Sequence, residues 1–204
     1  MAKKNAADFQ LEKASGELLI TTSAAQKTSN FQTIDCYVNS AIFNTTADAV
    51  VANTTTQTTL IGAGTGTKTL PTNFLAVAKR VVVHAEGYIT NLTTPTINIV
   101  FKFGSTSILA TGVQTMSAIT GTMRWVFDGT ITCRTTGASG SVIGQGEFRY
   151  YTLATTVIGI DVVNTATTTV DTTATQALDL MATWGTASAS NSITCTNATF
   201  SVDM

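Results

Sequence analysis

One stretch of sequence decides the fold class: Met123-Arg-Trp-Val-Phe-Asp-Gly-Thr-Ile-Thr-Cys-Arg134. Large apolar side chains recur at every second residue except Gly129, and most of the residues between them are charged or carry a hydroxyl. The apolar set is Met123, Trp125, Phe127, Ile131 and Cys133, and the polar set is Arg124, Asp128, Thr130, Thr132 and Arg134. Because successive side chains of a β-strand point to opposite faces, this period of two predicts a strand with one face in a core.

The same alternation continues along most of the chain from about residue 79 onward. It predicts inward positions at Val81, Val83, Ala85 and Ile89; Ile97, Ile99, Phe101 and Phe103; Val142, Phe148 and Tyr150; Leu178, Leu180, Ala182 and Trp184. Shorter strands are predicted around Ile108-Leu109, within Thr167–Thr173 and over Ser192–Val202. Strands without intervening helices predict an antiparallel β-sandwich, with a jelly roll favoured. An immunoglobulin-like sandwich is the competing prediction, although its Cys…Trp…Cys pattern is missing.

The composition of the chain is poor in charge and rich in threonine. Only 11% of the 204 residues are charged, against roughly 25% in an average soluble protein. Threonine occupies about one position in five. Its hydroxyl keeps a strand face wettable without charge, and charge depletion is typical of surfaces that pack against other proteins. We therefore expect a surface used in assembly; the alternative is a hydroxyl-rich surface that simply faces water.

The first 45 residues differ from the rest of the chain. Charged residues are frequent there, and apolar residues form small groups such as Phe9, Leu11 and Leu18-Leu19-Ile20. This segment is too weakly apolar for a core of its own, so we predict an arm that becomes ordered against another surface. A floppy tail and a short helix docked on the sandwich are the alternatives. The predicted organisation is an arm over residues 1–45 and a sandwich over residues 46–204.

Several classes of partner are disfavoured by charge and hydropathy. The formal net charge is −1, from 11 basic and 12 acidic residues, and no basic stripe marks a nucleic-acid surface. No run approaches the ~20 apolar residues of a membrane span. The first residues lack the apolar segment of a secretory signal, so we expect no export by that route. We predict no nucleic-acid partner and no membrane partner.

The candidate ligands and nucleophiles are few and scattered. Cys36, Cys133 and Cys195 lack metal-site spacing, so we interpret them as reduced thiols, with Cys133 and Cys195 in strands. The segment Gly62–Thr69 superficially resembles a phosphate-binding loop. However, Thr67 stands where that motif needs glycine before Lys68, and Pro71 follows, so we interpret the segment as a connection between strands.

Catalytic groups are also hard to assemble from this sequence. His84 is the only histidine, and it shares a predicted strand face with Glu86 and Tyr88. No nucleophile motif accompanies it, so we predict a surface or interface histidine. A carboxylate pair such as Glu86 with Glu147 could in principle serve glycoside hydrolysis, but Asp and Glu are scarce in this chain. We predict no catalytic, cofactor-binding or metal-binding residues, no cofactor, and no enzymatic activity.

A set of turn and core residues over positions 75–204 resembles one group of proteins. The set comprises His84, Gly87-Tyr88, Thr94-Pro95-Thr96, Phe103-Gly104, Thr111-Gly112, Trp125, Arg134–Gly140, Gly144–Gly146, Val170–Ala174 and Ala182–Gly185. In these residues the chain resembles tailed-bacteriophage virion structural proteins that carry a β-sandwich. The resemblance brings no active site with it, and it does not extend to the first 75 residues.

This resemblance implies a capsid decoration (cement) or head-fibre protein. It also implies homotrimers, contact with the major capsid protein or other virion proteins, and assembly in the host cytoplasm before incorporation into the virion. Removing residues 1–40 is then expected to abolish attachment to particles. A tail, fibre or baseplate component is the first alternative. A carbohydrate-binding adhesion module is the second, but Trp125 and Trp184 fall on predicted core faces, where they could not serve as stacking platforms.

Overall fold

A computed structural model describes residues 10–14, 17–21 and 40–203. Within these residues the secondary structure is entirely β, as predicted. The strands are β1 (Gln10–Ala14), β2 (Glu17–Thr21), β3 (Ser40–Thr45), β4 (Ala49–Ala52), β5 (Thr58–Thr59), β6 (Gly64–Gly66), β7 (Thr69–Leu70), β8 (Arg80–Thr90), β9 (Thr96–Phe103), β10 (Thr106–Ala110), β11 (Gln114–Thr115), β12 (Met123–Thr135), β13 (Ser141–Leu153), β14 (Thr156–Val163), β15 (Thr168–Thr169), β16 (Gln176–Trp184) and β17 (Ser192–Asp203).

The chain divides into two compact units, Met1–Ser40 and Ala41–Met204. In the first unit, β1 and β2 pair antiparallel, with Gln10 opposite Thr21. The other residues for which we predicted an arm, up to residue 39, lie outside the described part of the chain. Strand β3 lies inside the predicted arm but belongs to a sheet of the second unit. The sheet therefore begins before residue 46, where we expected the sandwich to start.

The second unit is built from two antiparallel sheets. Along the larger sheet the strand order is β14-β13-β12-β8-β17-β3-β6, with β15 beside β13 and β4 beside β17. Along the smaller sheet the order is β10-β9-β16-β5, with β11 beside β9 and β7 beside β16. The sheets pack face to face around one apolar core, which makes an antiparallel β-sandwich. The jelly-roll topology stays a prediction.

The core follows the alternation of the sequence. All the predicted inward residues of β8, β9, β13 and β16 are buried, and in β12 only Met123 is partly exposed. Phe101 of the smaller sheet meets Phe200 of the larger sheet edge to face, with ring centroids 5.7 Å apart. Edge-to-face contacts of this kind add to the energy of burial, so they help to hold the sheets in one arrangement.

Both tryptophans belong to this core, as predicted, and each donates its indole N–H to a backbone oxygen. Trp184 is 1% exposed and donates to Val51 O over 3.0 Å, which links β16 of the smaller sheet to β4 of the larger sheet. Trp125 is fully buried and donates to Thr194 O over 2.9 Å. Burial of a tryptophan is favourable when its N–H finds a partner in this way.

Glycines let the two sheets and neighbouring strands approach closely. A Cβ at Gly129 or Gly144 would lie 2.8 or 2.7 Å from a methyl carbon of Leu109, which belongs to the opposite sheet. A Cβ at Gly146 would lie 2.4 Å from the Asp128 carbonyl oxygen. At Gly129, Gly144 and Gly146 alike, a side chain would collide with an atom of another strand.

The cysteines that the structure describes are free thiols in strands, as predicted. Cys133 lies in β12 and Cys195 in β17, and both are buried. Burial raises the pKa of both thiols, that of Cys195 to about 11. Since the thiolate is the reactive form, these cysteines act as small apolar core residues. Cys36 lies outside the described residues.

Candidate functional site

The outer face of the larger sheet gathers charged residues from several strands. Strand register places His84 of β8 opposite Asp128 of β12, Asp128 opposite Glu147 of β13, and Glu147 opposite Asp161 of β14. Directly opposite residues of antiparallel strands point to the same face. One row of the sheet therefore carries a histidine and three carboxyl groups in a chain where only 11% of residues are charged.

Most of these charges are paired with one another. His84 Nδ1 lies 2.6 Å from Asp128 Oδ1, and Arg149 Nη2 donates to Asp128 Oδ2 over 2.8 Å. Arg149 Nε lies 3.1 Å from Glu147 Oε2, a distance that suits an ion pair, although the N–H does not make a hydrogen bond. Asp128 thus contacts His84 with one carboxylate oxygen and Arg149 with the other, and Arg149 contacts the carboxylates of both Asp128 and Glu147.

A second pair lies beside this network. Arg124 Nη2 donates to Glu86 Oε2 across β12 and β8. The hydrogen bond from Arg124 lowers the pKa of Glu86, and Glu86 in turn raises the pKa of Arg124. We call His84, Glu86, Arg124, Asp128, Glu147 and Arg149 the outer cluster.

Next to the outer cluster the same face carries uncharged polar residues. One shallow depression is lined by Asp128, Gly129, Thr130, Gln145, Gly146 and Glu147. A neighbouring one is lined by Thr130, Thr132, Arg134, Ile143, Gly144 and Gln145. The two share Thr130 and Gln145, so they follow the β12–β13 pair as one track of hydroxyl, amide and ionic groups.

The predicted placement of His84, Glu86 and Tyr88 on one face is confirmed. All three lie on the outer face of β8, and Tyr88 is 42% exposed. Among the described residues, His84 makes its side-chain hydrogen bond with Asp128. The hydroxyl of Thr199, which lies opposite His84 on β17, donates instead to Asn44. Within residues 10–14, 17–21 and 40–203 the structure thus gives His84 a carboxylate partner and no hydrogen-bonded nucleophile.

The two glutamates considered for glycoside hydrolysis have separate arginine partners. Glu86 is held by Arg124 and Glu147 by Arg149. A general acid in that reaction needs a raised carboxyl pKa, whereas Arg124 lowers the pKa of Glu86. The geometry therefore favours ion pairing at these residues over proton donation.

The glycine-rich segment at residues 62–69 forms short strands. β6 (Gly64–Gly66) pairs with β3, and β7 (Thr69–Leu70) pairs with β16. Lys68 Nζ lies 5.6 Å from the centroid of the Phe43 ring. A phosphate-binding loop would lead into a helix, and here the segment leads through β7 to the turn after Pro71. Its interpretation as a connection between strands is confirmed.

The described residues contain neither a cluster of metal ligands nor a helix that could span a membrane. No group of three or more His, Cys, Asp or Glu side chains in residues 10–14, 17–21 and 40–203 is placed to hold a metal ion. In the same part of the chain no helix is long and apolar enough to cross a membrane.

The sequence predicts which residues of the outer cluster point outward, but not which of them are in contact. Alternation assigns Arg124 and Asp128, and Glu147 and Arg149, to the outward faces of their strands. It does not say which strands are neighbours, so the contact of His84 with Asp128, 44 residues away, could not be predicted. Comparison of the chain with protein-family models and with curated proteins found no match.

Proposed function

We propose that this chain is a non-enzymatic structural protein of a tailed-bacteriophage virion, and that it acts as a capsid decoration or cement protein attached through its N-terminal segment. The observation that carries the proposal is the outer face of the larger sheet. Most of its charges are paired within the outer cluster, and threonine and glutamine side chains lie beside them. A partner protein that covers such a face buries few charges that lack an ion-pair partner.

The composition supports the same function. A protein surface that packs against neighbours is depleted in charge, and this chain reaches that state with threonine-rich strands. Affinity in this setting comes from many modest contacts spread over a broad surface, for which the outer face of a large sheet is suited. The open depressions along β12 and β13 suit shallow contacts of this kind.

The resemblance of residues 75–204 to virion structural proteins supplies the setting. It supports contact with other copies of the chain and with the major capsid protein or other virion proteins. It also supports location in the virion after assembly in the host cytoplasm. A tail, fibre or baseplate component would use the same surface at another place in the particle, so we keep it as the alternative.

Deleting residues 1–39 tests the attachment step. This deletion leaves β3 and the two sheets intact, because Ala41–Met204 form a compact unit of their own. We expect the truncated protein to keep its β circular-dichroism spectrum and its cooperative unfolding, and to lose binding to particles that lack the protein. The measurement is co-sedimentation of full-length and truncated protein with those particles. Decoration by the truncated protein at full occupancy would show that attachment does not use this segment.

A further inference from the structure

The rims of the two sheets differ in how well they are protected against pairing with another strand. Exposed edge strands are templates for association unless they are short, bulged, charged or interrupted by proline. At the rims of the described part, β5 and β7 have two residues each and β6 has three. β10 has five residues and a register shift between Ser107 and Leu109. These edges are blunted by length or by a bulge.

Strand β14 is the exception. Among the described strands it ends the larger sheet, pairs with β13 on one side, and runs for eight residues with the sequence TVIGIDVV. Asp161 is its one charged residue, and it contains no proline. Val157 and Val163 point outward from the sheet and are 49% and 58% exposed. A long edge strand that is rich in β-branched residues and exposes two valines can pair with another strand.

The free backbone groups of β14 can be assigned from its register. The Asn164 N–H donates to Gly144 O on β13, so residues of even number direct their N–H and C=O groups toward β13. The odd-numbered residues direct theirs away from the sheet. Val157, Gly159, Asp161 and Val163 therefore present a row of backbone donors and acceptors along the edge with which no described strand pairs.

We infer that β14 pairs antiparallel with β14 of a second copy of this chain, about a two-fold axis through Ile160. In this register each odd residue meets another odd residue, so the free donors and acceptors of the two edges match. Val157 lies opposite Val163 of the second copy, and Ile158 lies opposite Val162. The same pairs recur on the other side of the axis, as an isologous contact requires.

The self-complementarity of this strand selects a second copy as the occupant. Exposed valine meets exposed valine at both ends, and the one charged residue, Asp161, meets Gly159, which has no side chain to oppose it. Cross-strand pairs of β-branched residues stabilise a sheet, whereas like charges directly opposite each other destabilise it. The result is a larger sheet that continues from one copy into the other.

The charges near the axis set the strength of the contact. The Glu147 carboxylate lies over Gly159, with Oε1 2.7 Å from where a Cβ would stand, and Arg149 lies on the same side. Asp161 of one copy thus approaches Glu147 of the other copy. In that second copy Glu147 contacts Arg149, which in turn contacts Asp128. This repulsion limits the affinity, so Asp161→Asn is expected to tighten the dimer several-fold.

This inference rests on the proposed function, because it identifies the β14 edge as one of the surfaces through which the protein assembles. Its test does not require virus particles. Sedimentation velocity of the full chain over a range of concentrations is expected to show a reversible monomer–dimer equilibrium. Val157→Lys/Val163→Lys and Val157→Glu/Val163→Glu double variants each place like charges opposite one another. Each is expected to raise the dimer dissociation constant about tenfold or more, and an equimolar mixture of the two is expected to restore dimers.

A Val50→Lys/Val77→Lys double variant is the matched control, because both valines are more than half exposed and lie outside β14. It should dimerise like the unchanged chain. A monomer or trimer at all concentrations, dimers insensitive to the β14 changes, or no tightening in Asp161→Asn would overturn the inference. So would a monomer that dimerises only after deletion of residues 1–39, because the N-terminal segment would then be the occupant of the edge. None of these results depends on whether the chain binds virions.

Discussion

Replacing Trp184 with alanine is expected to lower the free energy of unfolding by about 3–5 kcal/mol, the range found for buried aromatic residues. Trp184 is 1% exposed between the two sheets, and its N–H donates to Val51 O on the opposite sheet over 3.0 Å. The change removes a large apolar side chain, leaves a cavity, and breaks a direct link between the sheets. Equilibrium unfolding in denaturant measures the loss.

Two further variants separate the causes of this loss. Trp184→Phe keeps most of the apolar volume and removes the hydrogen bond, so it should cost less, about 1–3 kcal/mol. Tyr88→Ala removes an aromatic side chain that is 42% exposed, so its effect on stability should be small. If Trp184→Ala cost no more than Tyr88→Ala, the packing of β16 against the larger sheet would be contradicted.

Gly87→Ala is expected to destabilise the protein by about 2–5 kcal/mol, through overpacking and a lost hydrogen bond together. A Cβ at position 87 would lie 1.9 Å from the Thr194 carbonyl oxygen, which is backbone and cannot rotate away. The same oxygen accepts the indole N–H of Trp125 over 2.9 Å. Moving it therefore strains β17 and weakens the hydrogen bond of the buried Trp125 indole.

Gly159→Ala is the matched control for this prediction. Gly159 is also a strand glycine, but a Cβ there would first meet the far end of the Glu147 side chain, which can move. We expect less than about 1 kcal/mol of destabilisation, as for most surface substitutions. Equal effects of the two substitutions in thermal unfolding would contradict the close approach of β8 and β17 at Gly87.

Prediction from the sequence succeeded for strands that have one solvent-exposed face and one buried face. In β8, β12 and β16, packing against the other sheet imposes a period of two on the side chains. This period can be recognised within one strand, without knowing which strands pair with it. The same alternation explains the buried tryptophans, because Trp125 and Trp184 occupy core-facing positions of their strands. Fold class and much of the core follow from this one constraint.

Strand β14 was not predicted, for a physical reason. Its valines and isoleucines lie on both faces, so TVIGIDVV lacks the alternation of a half-buried strand. The strand predicted within Thr167–Thr173 is reduced to the two residues of β15, because hydroxyl-rich sequence alone does not provide a pairing partner. Apolar residues on an outer face break the sequence pattern, and in β14 they are the residues from which we infer a dimer contact.

The outer cluster shows where prediction from sequence ends. Outward positions such as Asp128 and Arg149 are given by alternation within one strand. Their partners are given by strand order, which joins β8 to β12 across the intervening chain. Strand order depends on contacts between distant segments, so neither the pairing of His84 with Asp128 nor the ion pair of Arg149 with Asp128 could be predicted from local sequence.

The number of copies of this chain per purified virion tests the proposed function most directly. Quantitative mass spectrometry of purified particles, calibrated against the major capsid protein, provides that number. We predict that the chain is a stoichiometric component, present in many copies per head as a decoration protein; a few copies per particle would place it in the tail, the alternative that we retain. Abundant protein in the infected cell that is missing from purified virions would contradict the assignment as a virion structural protein.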